Sequence, residues 1–216
     1  MPDKKNVVNS LGLQGNTNYD SAKHYDQNRF SSIRMQRLDQ QEKQFAHFVF
    51  NLVGTGASIL DVPCGNGRFY DIFSQAKELT MADYSENMLK ACKEKYNPGD
   101  HVRLIQSDIA ALPLPDGSVD LAFCMRLFHH MKTDAIRSAA LNELARVSRK
   151  YVALTFYNSH SLRYLRKRFL GKKISGVYIS FNPLNDIAKK AGLECVYRTP
   201  KMNFIEQQCM VIFKKK

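Results

Sequence analysis

Apolar positions recur along the chain with two different periods, and the change between them organises it. From Ile33 to Val53 the spacing is helical: Leu38, Phe45, Phe48, Val49 and Leu52 fall on one side of a 3.6-residue wheel. Gly54 and Gly56 end that helix. A shorter helical stretch carries Tyr19, Tyr25, Arg29 and Phe30, and the polar residues 1–18 read as a flexible leader. From residue 57 short apolar runs alternate with helical segments. Strands are expected over 57–62, 78–83, 102–106, 119–125 and 151–157, with two more over 193–197 and 208–213. Between them a helix runs on from about Arg68. Ser85 can cap another over 86–96, and Thr133 or Asp134 one that reaches about Ser148. Asn182 before Pro183 opens a last helix, which Gly192 closes. Strand and helix alternating with short connections imply a mostly parallel sheet covered on both faces.

Composition narrows the class. A chain of 216 residues suits one domain with its own core and no need of disulfides. The five cysteines are scattered and show no C-x-x-C spacing, so neither a zinc site nor a disulfide framework is expected, and no metal is. They read as small buried hydrophobes. No apolar run approaches the ~18 residues of a membrane span, and the N-terminus lacks the apolar stretch of a signal peptide. The expected location is cytoplasmic, with peripheral membrane association open. The net charge of +12 is unevenly spread: residues 1–159 carry 19 basic and 17 acidic side chains, residues 160–216 carry 13 and 3. The densest stretch holds Arg163, Arg166, Lys167, Arg168, Lys172 and Lys173, and Lys214, Lys215 and Lys216 add to it.

Ligands of such sheets bind beyond the carboxyl ends of the strands, and there the chemistry gathers. Asp61 ends the first strand, and Gly65 and Gly67 follow with Asn66 between them. Glycines let a backbone approach a ligand closely, though a plain tight turn uses them too. Asp83 ends the second strand, where an acid can bind the two hydroxyls of a ribose or simply start a helix. Asp108 and Ile109 follow the third strand. An acid can accept an adenine amine while the aliphatic group covers the ring, and the acid can equally cap a turn. Together the three ends favour a nucleoside pocket. A dinucleotide fingerprint fits less well, because Tyr70 stands where G-x-G-x-x-G needs its third glycine.

The motifs resemble those of the class I S-adenosylmethionine-dependent methyltransferases, of the small-molecule type that includes ubiquinone and menaquinone biosynthesis enzymes. They are Ile59 to Phe69 around the glycine turn, Asp83-Tyr84-Ser85-Glu86-Asn87-Met88-Leu89, then Asp108, Leu112-Pro113, Asp116-Gly117-Ser118-Val119-Asp120 and His129-His130. The resemblance spans about residues 19–158. It implies a Rossmann-like, doubly wound, seven-stranded sheet, mostly parallel with an antiparallel last strand. It makes residues 19–216 one methyltransferase domain, with a helical cap over 19–53 and a basic lid-like insertion over about 159–181. It implies S-adenosyl-L-methionine as cofactor. Asp61, Pro63, Gly65, Asn66 and Gly67 would hold its methionine part and Asp83 its ribose. Tyr84, Met88, Asp108 and Ile109 would surround the adenine. Met125, Arg126, His129 and His130 would lie near the methyl group, and Tyr25 and Arg29 would fold over the cofactor.

Methyl transfer from a sulfonium needs alignment above all, and a base only where the acceptor must lose a proton. His130 and His129 are the candidates, with a purely structural role the alternative. Cys124-Met125-Arg126-Leu127-Phe128 lacks the Asn/Asp-Pro-Pro element of base amino-methyltransferases, and no proline follows Cys124 as in a pyrimidine C5 nucleophile. The expected acceptor is a small or lipid-like molecule; an RNA or protein acceptor and a non-catalytic cofactor-binding subunit are the alternatives. The basic segment fits a solvated lid, an anionic membrane surface or RNA.

Overall fold

The computed structural model describes residues 18–199 and 207–216, so the leader expected over 1–18 lies, apart from Asn18, outside the described residues. Two short helices, α1 (Tyr19–Lys23) and α2 (Tyr25–Arg29), precede the long α3 (Ile33–Val53). Then come β1 (Ser58–Asp61), α4 (Tyr70–Phe73), β2 (Glu78–Asp83), α5 (Glu86–Tyr96), β3 (Val102–Gln106) and β4 (Val119–Cys124). A 3-10 turn (Phe128–His130) leads to α6 (Asp134–Val147), β5 (Ser148–Asn158), α7 (Leu162–Phe169), β6 (Tyr178–Ile179), α8 (Phe181–Lys190), β7 (Leu193–Arg198) and β8 (Gln208–Lys215).

Hydrogen bonding orders the strands β3-β2-β1-β4-β5-β8-β7, with the two-residue β6 beside β5 as an eighth strand. This is the Rossmann-like α/β sheet the sequence implies. β1 and β4 are buried along their whole length, which is why they read as mostly apolar runs rather than as alternating ones. β8 runs antiparallel to both β5 and β7, so the last strand is the reversed one.

The chain forms two compact units. One holds the residues up to Pro113 with Val119–Leu121, the other Leu114–Ser118 and Ala122–Lys216. In the first, β1 and β2 pair in parallel from Ser58↔Glu78 to Asp61↔Met81, and β2 and β3 from Leu79↔Val102 to Asp83↔Gln106. This register sets the ends of the three strands, Asp61, Asp83 and Gln106, along one edge. In the second, β5 and β8 pair from Tyr151↔Lys214 to Tyr157↔Gln208. Lys215 Nζ donates to Ala145 O (2.8 Å) and Ser148 O (2.9 Å), the carbonyls at the end of α6, so this lysine is a helix cap and not part of a free basic tail.

Four sequence expectations change. The buried face of α3 comprises Leu38, Glu42, Phe45, Ala46, Val49 and Phe50, while Phe48 and Leu52 are exposed. The helix after the glycine turn has only four residues and starts at Tyr70, too short to direct much dipole at a ligand. α8 starts at Phe181, after Ser180, which puts Pro183 third in the helix, where no intrahelical N–H bond is lost. β5 is longer than the apolar run suggests. Ser85 and Thr133 cap α5 and α6 as their sequences indicate.

Candidate cofactor and methyl-transfer residues

In the first unit the strand ends converge on the glycine turn. Asp83 Oδ2 accepts the Gly65 N–H and Asp83 Oδ1 the Ser85 N–H, both at 2.8 Å. Cys64 N–H donates to Ala82 O at 2.8 Å. The turn is thus stapled to the end of β2 by one carboxylate and one carbonyl. Burial pushes the Asp83 carboxyl up to about 6, against the hydrogen bonds that favour its charge.

Asp61 is buried, and among the described residues neither of its oxygens has a hydrogen-bond partner. Burial holds its carboxyl well above the ordinary range; Arg68 draws it down and Asp83 pushes it further up. An unpaired buried carboxylate is costly unless something positive meets it. The two glycines differ in purpose. Gly65 has φ +56° and a Cβ there would meet no atom within 4 Å, so its lack of a side chain leaves room beside the backbone. Gly67 has φ +86°, and its Cβ would lie 2.7 Å from Cys92 Sγ and 2.8 Å from Tyr96 Cε2, so it is packed shut. Gly67→Ala should therefore cost about 1–3 kcal/mol in denaturant melts, with Gly65→Ala the milder change; equal losses would refute this division.

Asn66 is buried, and its Nδ2 donates to Ala22 O on α1 at 3.4 Å. Ala22 packs with Met88, Ala91 and Tyr19, so Met88 faces α1. Tyr25 lies exposed on α2; Arg29 is partly buried there, and its Nε is a buried donor with no partner among the described residues. Asp108 Oδ1 accepts the Ala110 N–H at 3.0 Å, so the residue caps its own turn, beside the buried Ile109. Tyr84 is half-buried and its carbonyl accepts Gln106 Nε2 at 3.1 Å. Tyr70, at the place of a third glycine, stacks on Tyr96 with ring centres 4.3 Å apart.

In the second unit Met125 is buried just after β4, and Arg126 follows with φ +59°, a conformation unfavourable to any residue but glycine. Its N–H donates to Thr155 Oγ1 on β5 at 2.8 Å. The histidines differ. His129 is buried and stacks on Tyr157, ring centres 4.0 Å apart and 12° from parallel, and its carbonyl accepts the Val177 N–H at 2.7 Å. His130 is exposed, with its ring 4.1 Å from that of His129. The 3-10 turn that carries both is braced from behind by Arg137, whose Nη1 donates to Met131 O at 2.6 Å.

Residues 59–151 match the model of a methyltransferase domain. This stretch has the sequence of a methyltransferase domain of the class I S-adenosylmethionine-dependent type. S-adenosyl-L-methionine is accordingly its cofactor. An Arabidopsis thaliana protein named as an uncharacterized chloroplastic methyltransferase is 29% identical over 153 residues, 64% of this chain and 43% of that protein. A mouse (Mus musculus) tRNA (carboxymethyluridine(34)-5-O)-methyltransferase is 32% identical over 131 residues, 56% of this chain and 18% of that protein. The chain thus spans less than half the length of the curated relatives it matches. In fold it is similar to the magnesium protoporphyrin IX methyltransferase of Synechocystis PCC 6803, a structure with bound S-adenosylhomocysteine (TM-score 0.75, 16% identity, 92% of this chain and 98% of that one). Among the described residues no helix is long and apolar enough to cross a membrane.

Some of the motif residues are structural. Asp120 Oδ2 accepts the Ser58 N–H at 3.0 Å in the first unit. In the second, Asp116 and Glu143 hold Arg146 in ion pairs of 2.6 and 2.7 Å, and the Arg146 carbonyl accepts the Gly117 N–H. Sequence reasoning missed Arg68. Its Nη1 lies 3.0 Å from Asp39 and 2.5 Å from the fully buried Glu42, and its guanidinium sits over the rings of Phe69 and Phe30 at 4.3 and 4.9 Å. A glutamate on the apolar side of α3 was the available signal.

Proposed function

We propose that the chain binds S-adenosyl-L-methionine at the strand ends of its first unit and transfers the methyl group to a small or lipid-like acceptor. Asp61 carries the cofactor part of this reading. It is a buried carboxylate with neither oxygen bonded, beside a glycine with open space, and a cofactor bearing positive charge supplies what such a group lacks. Asp83 and Asp108 would bind ribose and adenine, with Tyr84, Met88 and Ile109 around the base. Pro63, Asn66 and Gly67 would shape the turn that receives the methionine part. Arg29 Nε offers a buried donor suited to a carboxylate, and Tyr25 would complete the surroundings of the cofactor in that unit.

Bound, the cofactor supplies a methyl group on a positively charged sulfur. The chain's part would be to hold an acceptor in line with that group and away from water. Where the acceptor must lose a proton, His130 takes it, because its ring is the exposed one. His129 positions that ring by lying against it while stacked on Tyr157. His130→Ala should lower kcat about 100-fold at unchanged cofactor affinity, read in a radiolabelled methyl-transfer screen of lipid, small-molecule, RNA and protein fractions. Unaltered turnover would remove His130 from the reaction. The tRNA methyltransferase among the relatives and the basic excess of residues 160–216 favour RNA as the second acceptor class; label in the RNA fraction alone would establish it.

A further inference from the structure

Helix α7 is built the wrong way round for a surface helix of a folded domain. Its polar side faces the protein. Arg163 Nε donates to Gln207 Oε1 at 3.2 Å, and Tyr178 donates to the same oxygen at 2.7 Å. Tyr164 stacks on Tyr178 with ring centres 4.5 Å apart, and Ser161 caps the helix through the Tyr164 N–H. None of its residues is buried. Leu162, Leu165 and Phe169 follow the i, i+3, i+7 spacing of one stripe, and their exposures are 55%, 49% and 90%. On a helical wheel Arg166 and Arg168 border that stripe, one on each side, and both are exposed. Leu170 and Ile174 continue the apolar surface and Lys172 and Lys173 the charge.

The stretch of sequence around α7 bears charge of only one sign. From Leu144 to Asn185 the sequence contains no Asp or Glu but nine Lys and Arg. An apolar stripe bordered by cations suits a surface with acyl chains below and anionic headgroups around it. Folded RNA would meet the cations but leave the stripe in water. A second copy of this chain laid on the same face would bring cations against cations.

We propose that α7 is a docking helix for an anionic lipid surface, entered by Leu162, Leu165 and Phe169 and held by Arg166, Arg168, Lys172 and Lys173. The proposal deepens the lipid-like acceptor reading, since it brings the enzyme to where such an acceptor dissolves. It is tested by co-sedimenting the full chain with vesicles of phosphatidylcholine alone and of phosphatidylcholine with phosphatidylglycerol, at low and high salt. The expected result is binding to the anionic vesicles only, weakened by salt. Each cation removed should cost about fivefold in affinity, so Arg166→Gln with Arg168→Gln should cost about 25-fold. Leu165→Ser with Phe169→Ser should abolish the salt-resistant part of the binding. No binding to anionic vesicles at low salt overturns the proposal, as does wild-type binding by the serine pair. RNA binding without vesicle binding, or a concentration-dependent dimer that the serine pair dissolves, overturns it in favour of those partners. Calorimetry with S-adenosyl-L-methionine on the same preparations separates the two readings: vesicle binding without cofactor binding leaves docking intact and removes the cofactor assignment, and the reverse removes docking alone.

Discussion

Arg68→Ala should lower the unfolding free energy by about 3–5 kcal/mol, the usual cost of leaving one half of a buried ion pair behind. The group left behind is Glu42, which is fully buried, while Asp39 keeps its contact with Lys43 at 2.8 Å. The apolar part of the loss comes from the faces of Phe30 and Phe69, over which the guanidinium lies. Arg68→Lys keeps the charge but not the planar fork or the stacking, so it should fall between wild type and alanine. Glu42→Gln, which removes the charge but keeps the shape, should cost less than Arg68→Ala. Urea melts of the four proteins check this ordering. A loss below about 1 kcal/mol for Arg68→Ala would mean that the pair behaves as an exposed one. Because Arg68 directly follows Gly67, cofactor affinity should fall with stability in this series.

Asp61→Asn should do the opposite to stability and the same to binding. The native carboxyl of Asp61 sits well above its unfolded value, so the folded state holds the proton more tightly. That contribution to stability is present at low pH and lost as pH rises through the native value. Asparagine never ionises. The variant should therefore melt higher than wild type at pH 8 and lose that advantage in acid. Its affinity for S-adenosyl-L-methionine should fall about 10- to 100-fold, the worth of one buried hydrogen bond to a charged group. Calorimetry in two buffers of different ionisation enthalpy would show wild type releasing a proton on binding and the variant releasing less. In wild type the affinity should also decline as pH falls through about 6, where Asp83 takes up its proton and ceases to accept from a ribose on all its lone pairs. Equal affinities of the two proteins would remove Asp61 from the cofactor site.

These residues were not equally visible in the sequence. The strand ends Asp61, Asp83 and Asp108 were legible because apolar runs of a parallel sheet stop where the backbone turns out of it. The caps at Ser85 and Thr133 were legible because they act on their own helix. What escaped depends on partners remote in sequence. Glu42 lies on the buried side of α3, where Arg68 meets it from 26 positions further along the chain. Thr155 holds the backbone of Arg126 across 29 positions, and Lys215 caps a helix that ends nearly 70 positions earlier. Asp116 and Asp120 show the converse: the motif was plain, but each holds the scaffold. The basic amphipathic character of α7 was readable, and which side it turns outward was not, because Tyr178 and Gln207 decide that.

The thiols beneath the glycine turn make its opening chemically readable. Cys64 and Cys92 are both buried, and burial pushes the Cys64 thiol well up and the Cys92 thiol up to about 12. Neither forms thiolate, the species that alkylating reagents attack, while the turn stays closed. Their slow modification at neutral pH thus counts the moments when the segment between β1 and α4 comes away from α5, and its suppression by a bound nucleoside measures how strongly occupancy keeps that segment shut.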